Sequence, residues 1–537
     1  MKKSTQKAKP DAMPSTTDST GESSGESQFH RVIGVVDIGA TSIRLAISQV
    51  DSQGQIENLE SLSQAVSLGR DSFINGRIST STIEECVRVL KIYRDKLREY
   101  GIENANDVHV VATSAVREAR NRLSFQDRVF IATGLEVEPF DEAELHRVTF
   151  LGIQPILKTH RQLHDRTNVI CEIGGGSTEM LVVNSGNVVF SETYRMGSLR
   201  LRKSLEAINA ASSEERQIIN EQIKQLVQRF HRTVPNLDKP NFIAMGGDLR
   251  FAVSQMFPDT RATELTEVTI NQFEAFTESI ARCSPDELFN RYELSHPEAE
   301  SLAPALMAYL ALAKSTDRET FFVSNVNMRE GLVREMIQPD AWNREFRDQV
   351  MRYSIALGRT YKFDEEFAIH VAELCQLLFE ELRSEHGLSK KYGLILNISA
   401  LLHEIGQFVN HRSFHKHSLY LIRNSDFFGL GQTDVLLSAL VARYHRRAHP
   451  QPNHEGYSSL NRSQRVIVCK LAAILRIAIA LNSSRQQKVK SLDCNIRGDS
   501  VQIRIPVVDL SLEKISLAQG SLLFKETFGK TVTVTEK

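Results

Sequence analysis

The chain has 537 residues, 41% of them hydrophobic and 24% charged, a composition that suits a globular protein of about three domains and excludes a small disulfide scaffold. Its 65 Lys and Arg residues stand against 66 Asp and Glu, so no global basic field exists to hold a nucleic acid or an anionic membrane; any polyanion must be met by a local site. Six scattered cysteines without CxxC spacing predict reduced thiols, a cytoplasmic setting and a role as buried apolar filler.

Residues 1–29 are Ser, Thr, Gly and Pro-rich, lack the apolar core of a signal peptide, and predict a disordered tail. Order is expected from about His30, where Arg31 to Val36 reads as a buried strand running into Asp37-Ile-Gly-Ala-Thr-Ser42. A second strand follows over Ile43 to Val50. Asp51 to Gly54 is a hairpin signal, and Gln55 to Ser61 supplies a third strand. Thr80 to Tyr100 has helical spacing and Asp107 to Thr113 returns to strand, an α/β pattern.

The pattern then repeats. Asn168 to Cys171 is a strand that runs into Glu172-Ile-Gly-Gly-Gly-Ser-Thr-Glu179, followed by a strand, a Ser185-Gly186 turn and another strand. Asp37, Gly39 and Ser42 match Glu172, Gly174 and Ser177 at a constant offset of 135. Two copies of strand, acid-x-Gly-x-x-Ser turn and strand predict two related α/β domains facing each other, 30–165 and 166–340. A third glycine turn, Gly246-Gly247-Asp248, follows a strand over Asn241 to Met245. From about Phe346 helical periodicity takes over, and seven of the sixteen histidines lie between His403 and His454, which predicts a helical domain over 341–485. The stretch 486–537 alternates apolar and polar residues and reads as a small strand-rich unit.

An acid-x-Gly-x-x-Ser turn offers consecutive backbone N–H groups, and glycine lets that backbone approach phosphate oxygens closely. Gly39, Thr41 and Ser42 in one turn and Gly174, Gly175, Gly176, Ser177 and Thr178 in the other are the candidate phosphate binders. Asp37 and Glu172, at the head of each turn, are oxygen ligands of the kind Mg²⁺ takes. Neither turn carries a Walker lysine or a GxGxxG pattern.

These two turns resemble the phosphate loops of the exopolyphosphatase / guanosine-pentaphosphate phosphohydrolase family of the actin/sugar-kinase/Hsp70 superfamily. Thr113-Ser-Ala-Val-Arg-Glu-Ala-Arg-Asn121, Arg195-Met-Gly-Ser-Leu-Arg-Leu201 and Met328-Arg-Glu-Gly-Leu332 resemble further family segments, and Leu401-Leu-His-Glu-Ile-Gly406 resembles the HD-like domain of longer members. The resemblance implies two actin-like (ribonuclease H-like) domains, an all-helical HD-like domain and a Mg²⁺-dependent hydrolase. That hydrolase would release terminal phosphate from inorganic polyphosphate or guanosine pentaphosphate and would work as a homodimer. It assigns metal binding to Asp37 and Glu172, a phosphate fork to Arg117, and an orienting role toward water or metal to Glu179.

Four departures from the family pattern stand out: Ala40 and Thr41 in the first loop, Glu172 in place of Asp, Asp248 in place of Thr, and Leu145 at the position of the family's catalytic glutamate. The base role then falls to the neighbouring Glu144, and a catalytically impaired polyphosphate- or nucleotide-binding regulatory protein is the alternative. In the helical domain His370, His403, Glu404 and His417 are residue types that hold metals in HD phosphohydrolases. The competing reading is that they cap helices in a vestigial site. Arg443 to Arg447 forms a short basic cluster that either guides a polyphosphate chain or is a solvated face.

Overall fold

The computed structural model describes residues 31–206, 212–234, 237–258, 264–337, 344–446, 448–506 and 509–536. The predicted tail and Arg447 of the basic cluster lie outside these. Three sheets organise the chain. In the first, β1 (Arg31–Ile38), β2 (Ser42–Val50) and β3 (Ile56–Ala65) form an antiparallel meander. β4 (Val108–Ala112) and β5 (Val137–Pro139) add in parallel, giving the order β3-β2-β1-β4-β5. β1 is buried from Ile33 to Ile38, as its unbroken apolar run requires of a central strand covered on both faces.

The second sheet repeats this plan. β6 (Thr167–Ile173), β7 (Thr178–Asn184) and β8 (Asn187–Tyr194) form the meander. β9 (Asn241–Met245), β10 (Leu265–Thr269) and β11 (Thr320–Ser324) complete the order β10-β11-β9-β6-β7-β8, with β9 and β11 parallel additions and β10 an antiparallel edge. The sequence offset survives in three dimensions: Gly39 N donates to Ser42 O at 2.9 Å and Gly174 N donates to Ser177 O at 2.9 Å, the same bond closing the same turn.

The third region is helical, from Arg344–Thr360 through Arg462–Leu481, and is followed by a sheet of β12 (Asp493–Arg497), β13 (Ser500–Ile505) and β14 (Thr531–Glu536). The terminal stretch is only half strand: Ser511–Gly520 and Leu522–Phe528 are helices. Leu522, Leu523 and Phe524, expected as strand, lie on the second of these. Leu523 and Phe524 are buried, Leu522 is exposed, and Gly529 ends the helix with φ 71°. The sheet and these helices share one core with the helical region, in which Ile503 and Phe524 join Leu374, Ile398 and Leu471.

Among the described residues no helix is long and apolar enough to cross a membrane. All six cysteines are free. Cys86, Cys171 and Cys375 are buried as expected, whereas Cys283, Cys469 and Cys494 are half-buried.

Candidate active site

Both glycine turns open onto one cleft between the first two sheets, with about 1200 Å³ of space, part of it open to solvent. The turns touch: a Cβ on Gly175 would lie 3.1 Å from Ala40 Cβ and 3.6 Å from Thr41 Cγ2. A side chain on Gly197 would meet the backbone of Gly174, Gly175 and Gly176 at 2.5 Å, so only glycine allows this close approach. Ser198 N and Arg200 N then donate to the carbonyls of Gly174 (2.9 Å) and Gly175 (3.0 Å), which fixes the second loop from behind.

Of the predicted phosphate binders, Gly39, Thr41, Ser42, Gly174, Gly175 and Ser177 line the cleft. Two do not. The Thr178 hydroxyl is wholly buried and donates to Met196 O, and Gly176 faces Phe73 and the Ser114 hydroxyl. For Thr178 alternation along β7 is the reason: it stands next to the cleft-facing Glu179 and so points to the opposite face of the sheet.

Asp37 and Glu172 both line the cleft. The Asp37 carboxylate accepts from Arg329 Nη1 at 3.3 Å. Burial raises the Glu172 carboxyl above its ordinary value, with Arg250 opposing and Asp37 adding to the rise. Among the described residues no group of three His, Cys, Asp or Glu side chains is arranged to share an ion. Two hard-oxygen ligands nevertheless fit Mg²⁺, which keeps several waters and takes one or two carboxylates together with substrate phosphates.

Glu179 stands opposite Glu172 in the β6–β7 register and is almost fully buried in the cleft wall, with Ser177 Oγ donating to its Oε1 at 2.5 Å. Burial pushes its carboxyl up to about 7, the Ser177 bond pulls the other way, and Glu172 adds to the rise. A carboxylate that titrates near neutrality can take and return a proton.

Two expected catalytic residues stand elsewhere. Glu144 is no cleft residue: it is the third residue of the helix Glu142–Thr159 and completes a capping box with Asp141. Its side chain accepts from Asp141 N at 3.0 Å while its own N donates to Asp141 Oδ1 at 2.9 Å. It lies against Gly431 of the helical region, and Leu145 faces the cleft instead. Neighbours on a helix point about 100° apart, and the capping box fixes which of them turns away. Arg117 also lies outside the cleft lining. Its Nη1 donates to Phe140 O at 2.9 Å and its Nη2 is 3.8 Å from Glu142.

The cleft's cations are instead Arg44, Arg250 and Arg329. Arg44 sits opposite Asp37 in the β1–β2 register and is the 135-residue counterpart of Glu179, so the repeat itself could have drawn attention to it. Arg329 lies in the Met328 to Leu332 segment, and Arg250 carried no sequence signal. Arg250 Nη1 is buried without a hydrogen-bond partner among the described residues, the condition of a donor that awaits an anion.

In the helical domain the predicted metal ligands are held separately. His370 Nε2 is 2.7 Å from Val489 O, and His403 Nδ1 is 2.6 Å from Ala400 O. Glu404 accepts both of its bonds from Arg485 Nη2, each 2.9 Å, and Arg485 Nη1 also donates to Asp364 at 2.9 Å. His417 lies on the helix Phe414–Arg423. Of the basic cluster, Arg443 Nη1 donates to Glu455 O and Arg446 lies over the Phe414 ring at 4.8 Å.

Two repeated α/β domains that close on a glycine-lined cleft define an actin-like protein with a helical third domain. The Ppx/GppA phosphatase family pattern matches residues 46–339, and that of Ppx/GppA phosphatase domain III matches residues 351–526; the chain belongs to this family. It is 22% identical over 519 residues to a guanosine-5'-triphosphate,3'-diphosphate pyrophosphatase of Pseudoalteromonas translucida, covering 92% of this chain and 95% of that one. The solved exopolyphosphatase of Cytophaga hutchinsonii is 19% identical with a TM-score of 0.52, over 57% of this chain and 98% of its own. An Aquifex aeolicus member of the Ppx/GppA family is 21% identical with a TM-score of 0.48, over 58% and 99%.

Proposed function

We propose that this chain is a phosphohydrolase that removes the terminal phosphate of inorganic polyphosphate or guanosine pentaphosphate in the cleft between its first two domains. The observation that carries this reading is the pair of identically closed glycine turns in mutual contact, with Arg44, Arg250 and Arg329 on the same cleft. Phosphoryl transfer proceeds through a loose transition state, so positioning and charge neutralisation supply most of the acceleration. The loop N–H groups and the Thr41 and Ser42 hydroxyls hold the phosphoryl oxygens, while the three guanidinium groups balance their charge. Mg²⁺, held by Asp37 and Glu172 together with the substrate, would supply Lewis-acid neutralisation. Glu179 accepts the proton of the attacking water, and the Ser177 hydroxyl orients its carboxylate.

Phosphate release from long-chain polyphosphate and from guanosine pentaphosphate, with Mg²⁺ and with chelator, tests this directly. Release that depends on the cation is expected; no release from either substrate overturns it. A second reading, a ligand-binding protein with impaired turnover, is favoured by Leu145 on the cleft wall and Glu144 tied into its capping box. Leu145→Glu separates the two. A gain in turnover beyond about 100-fold, the scale of general-base help, would assign the unmodified chain to the second class.

A further inference from the structure

Gly176 belongs to the second phosphate loop but is turned toward two residues of the first α/β domain. Phe73 lies on the helix Leu68–Asn75 and Ser114 opens the helix Ser114–Glu118. A Cβ on Gly176 would stand 2.5 Å from Ser114 Oγ and would overlap the Phe73 ring, so this point of the loop is pressed against the other domain. Its carbonyl is held from the second domain: Arg200 Nε, on the helix Ser198–Glu206, donates to Gly176 O at 2.9 Å.

The same guanidinium reaches back across the domain boundary. Arg200 Nη2 donates to both oxygens of Glu118, at 3.0 Å and 2.9 Å, and its flat face lies over the Phe73 ring, 4.2 Å from the centroid. A planar fork meets all three partners at once, where a lysine would have to choose among them. The first loop is tied to the same short helix, because Gly69 N donates to Ala40 O at 2.8 Å. A Cβ on Gly69 would lie 2.7 Å from Leu199 Cδ2, the neighbour of Arg200, so glycine lets the two domains meet here. Phe73 follows Gly69 by four residues and bears on the second loop.

The carbonyls of Gly174, Gly175 and Gly176 accept in turn from Ser198 N, Arg200 N and Arg200 Nε. In a trans peptide the C=O and the following N–H point opposite ways, so these three bonds aim the N–H groups of Gly175, Gly176 and Ser177 away from the helix that holds them. We propose that Arg200 and Glu118 are positioning residues: their ion pair, closed over Phe73, latches the second glycine loop to the first domain and keeps the two loops in register for a phosphate. Neither lines the cleft, so neither touches the ligand. The inference rests on the phosphate cleft proposed above and names what holds it in its binding form. Without the latch a smaller fraction of chains presents both loops together, and apparent affinity falls by that fraction.

Hydrogen–deuterium exchange on the full chain, read over Gly174 to Thr178, together with steady-state kinetics on polyphosphate, tests the latch. Arg200→Ala should speed exchange of the loop about 10- to 100-fold, the scale of hydrogen bonds to a charged group. It should raise KM by a similar factor with kcat nearly constant, whereas a variant that merely loosened the fold would lose kcat at constant KM. Arg200→Lys should recover part of the loss. Glu118→Gln, nearly isosteric and at a partly exposed site, keeps the test open should Arg200→Ala fail to fold, and it should show the same changes in smaller measure. The double variant should be no worse than Arg200→Ala alone, because the pair acts as one unit. Unchanged loop exchange in the single variants, additive effects, or loss of kcat at constant KM would overturn the proposal. Exchange is read on the unliganded chain and needs no turnover. Faster exchange in a chain that releases no phosphate sinks the hydrolase and spares the latch; release with unchanged exchange does the reverse.

Discussion

Charged side chains gather both in the interdomain cleft and around Glu404 of the helical domain, but they are held in opposite ways. In the cleft Arg329 reaches Asp37 by a single contact at 3.3 Å, and Arg250 keeps a buried donor unpaired. In the helical domain Arg485 gives two bonds to Glu404 and one to Asp364, all at 2.9 Å, and lies 3.9 Å over the Phe367 ring. The acid beside His403 is therefore neutralised by the protein itself, whereas the cleft leaves its charges incompletely matched. The two regions share residue types and differ in the state of pairing.

The contrast breaks most visibly at Glu179. Glu179→Gln should lower kcat by about 10²- to 10⁴-fold with a small change in KM, as loss of a general base does. The unmodified chain should gain activity as pH rises through about 7, where this carboxyl ionises, and steady-state rates across pH 5–9 would reveal the limb and its loss in the variant. A flat profile would remove Glu179 from the reaction.

Gly197→Ala attacks positioning instead of chemistry. Its methyl group has only backbone to displace, so the second loop must shift. Substrate KM should rise more than about tenfold, and overpacking should cost about 1–3 kcal/mol in a denaturant melt.

Asp141 lies between the two regions. Its Oδ1 caps the helix Glu142–Thr159, and its Oδ2 accepts from Gln432 N at 2.7 Å, at the start of the helix Gln432–Arg443 in the helical domain. Asp141→Ala removes both caps and should cost about 1–3 kcal/mol in thermal unfolding. Arg485→Ala should cost less, about 1 kcal/mol for a partly exposed ion pair, with kcat unchanged and no gain or loss of bound metal by elemental analysis. A stoichiometric metal that is lost in His403→Ala would reverse the comparison.

Glu144 supplies the finest test. Burial, with Asp141 adding, raises its carboxyl from 4.5 to about 6, so its contribution to stability is full below about pH 4.5 and lost as pH rises through 6. Glu144→Gln should therefore grow more stable relative to the unmodified chain across that interval. Parallel pH–stability curves would refute the assignment.

The sequence by itself determined the repeat. Strand alternation, glycine and the i to i+3 bond that closes each acid-x-Gly-x-x-Ser turn are local, so they can be read without knowing what packs around them. The 135-residue offset and the β9 boundaries follow from such short-range terms. Only tertiary structure decided which groups face the ligand. The capping box turned Glu144 toward the helical domain and left Leu145 on the cleft, Phe140 drew off one arm of Arg117, and Met196 took the Thr178 hydroxyl. Packing between elements far apart in sequence brought Arg44, Arg250 and Arg329 together. A side chain's direction is settled by partners that are remote along the chain, and no short-range pattern encodes them.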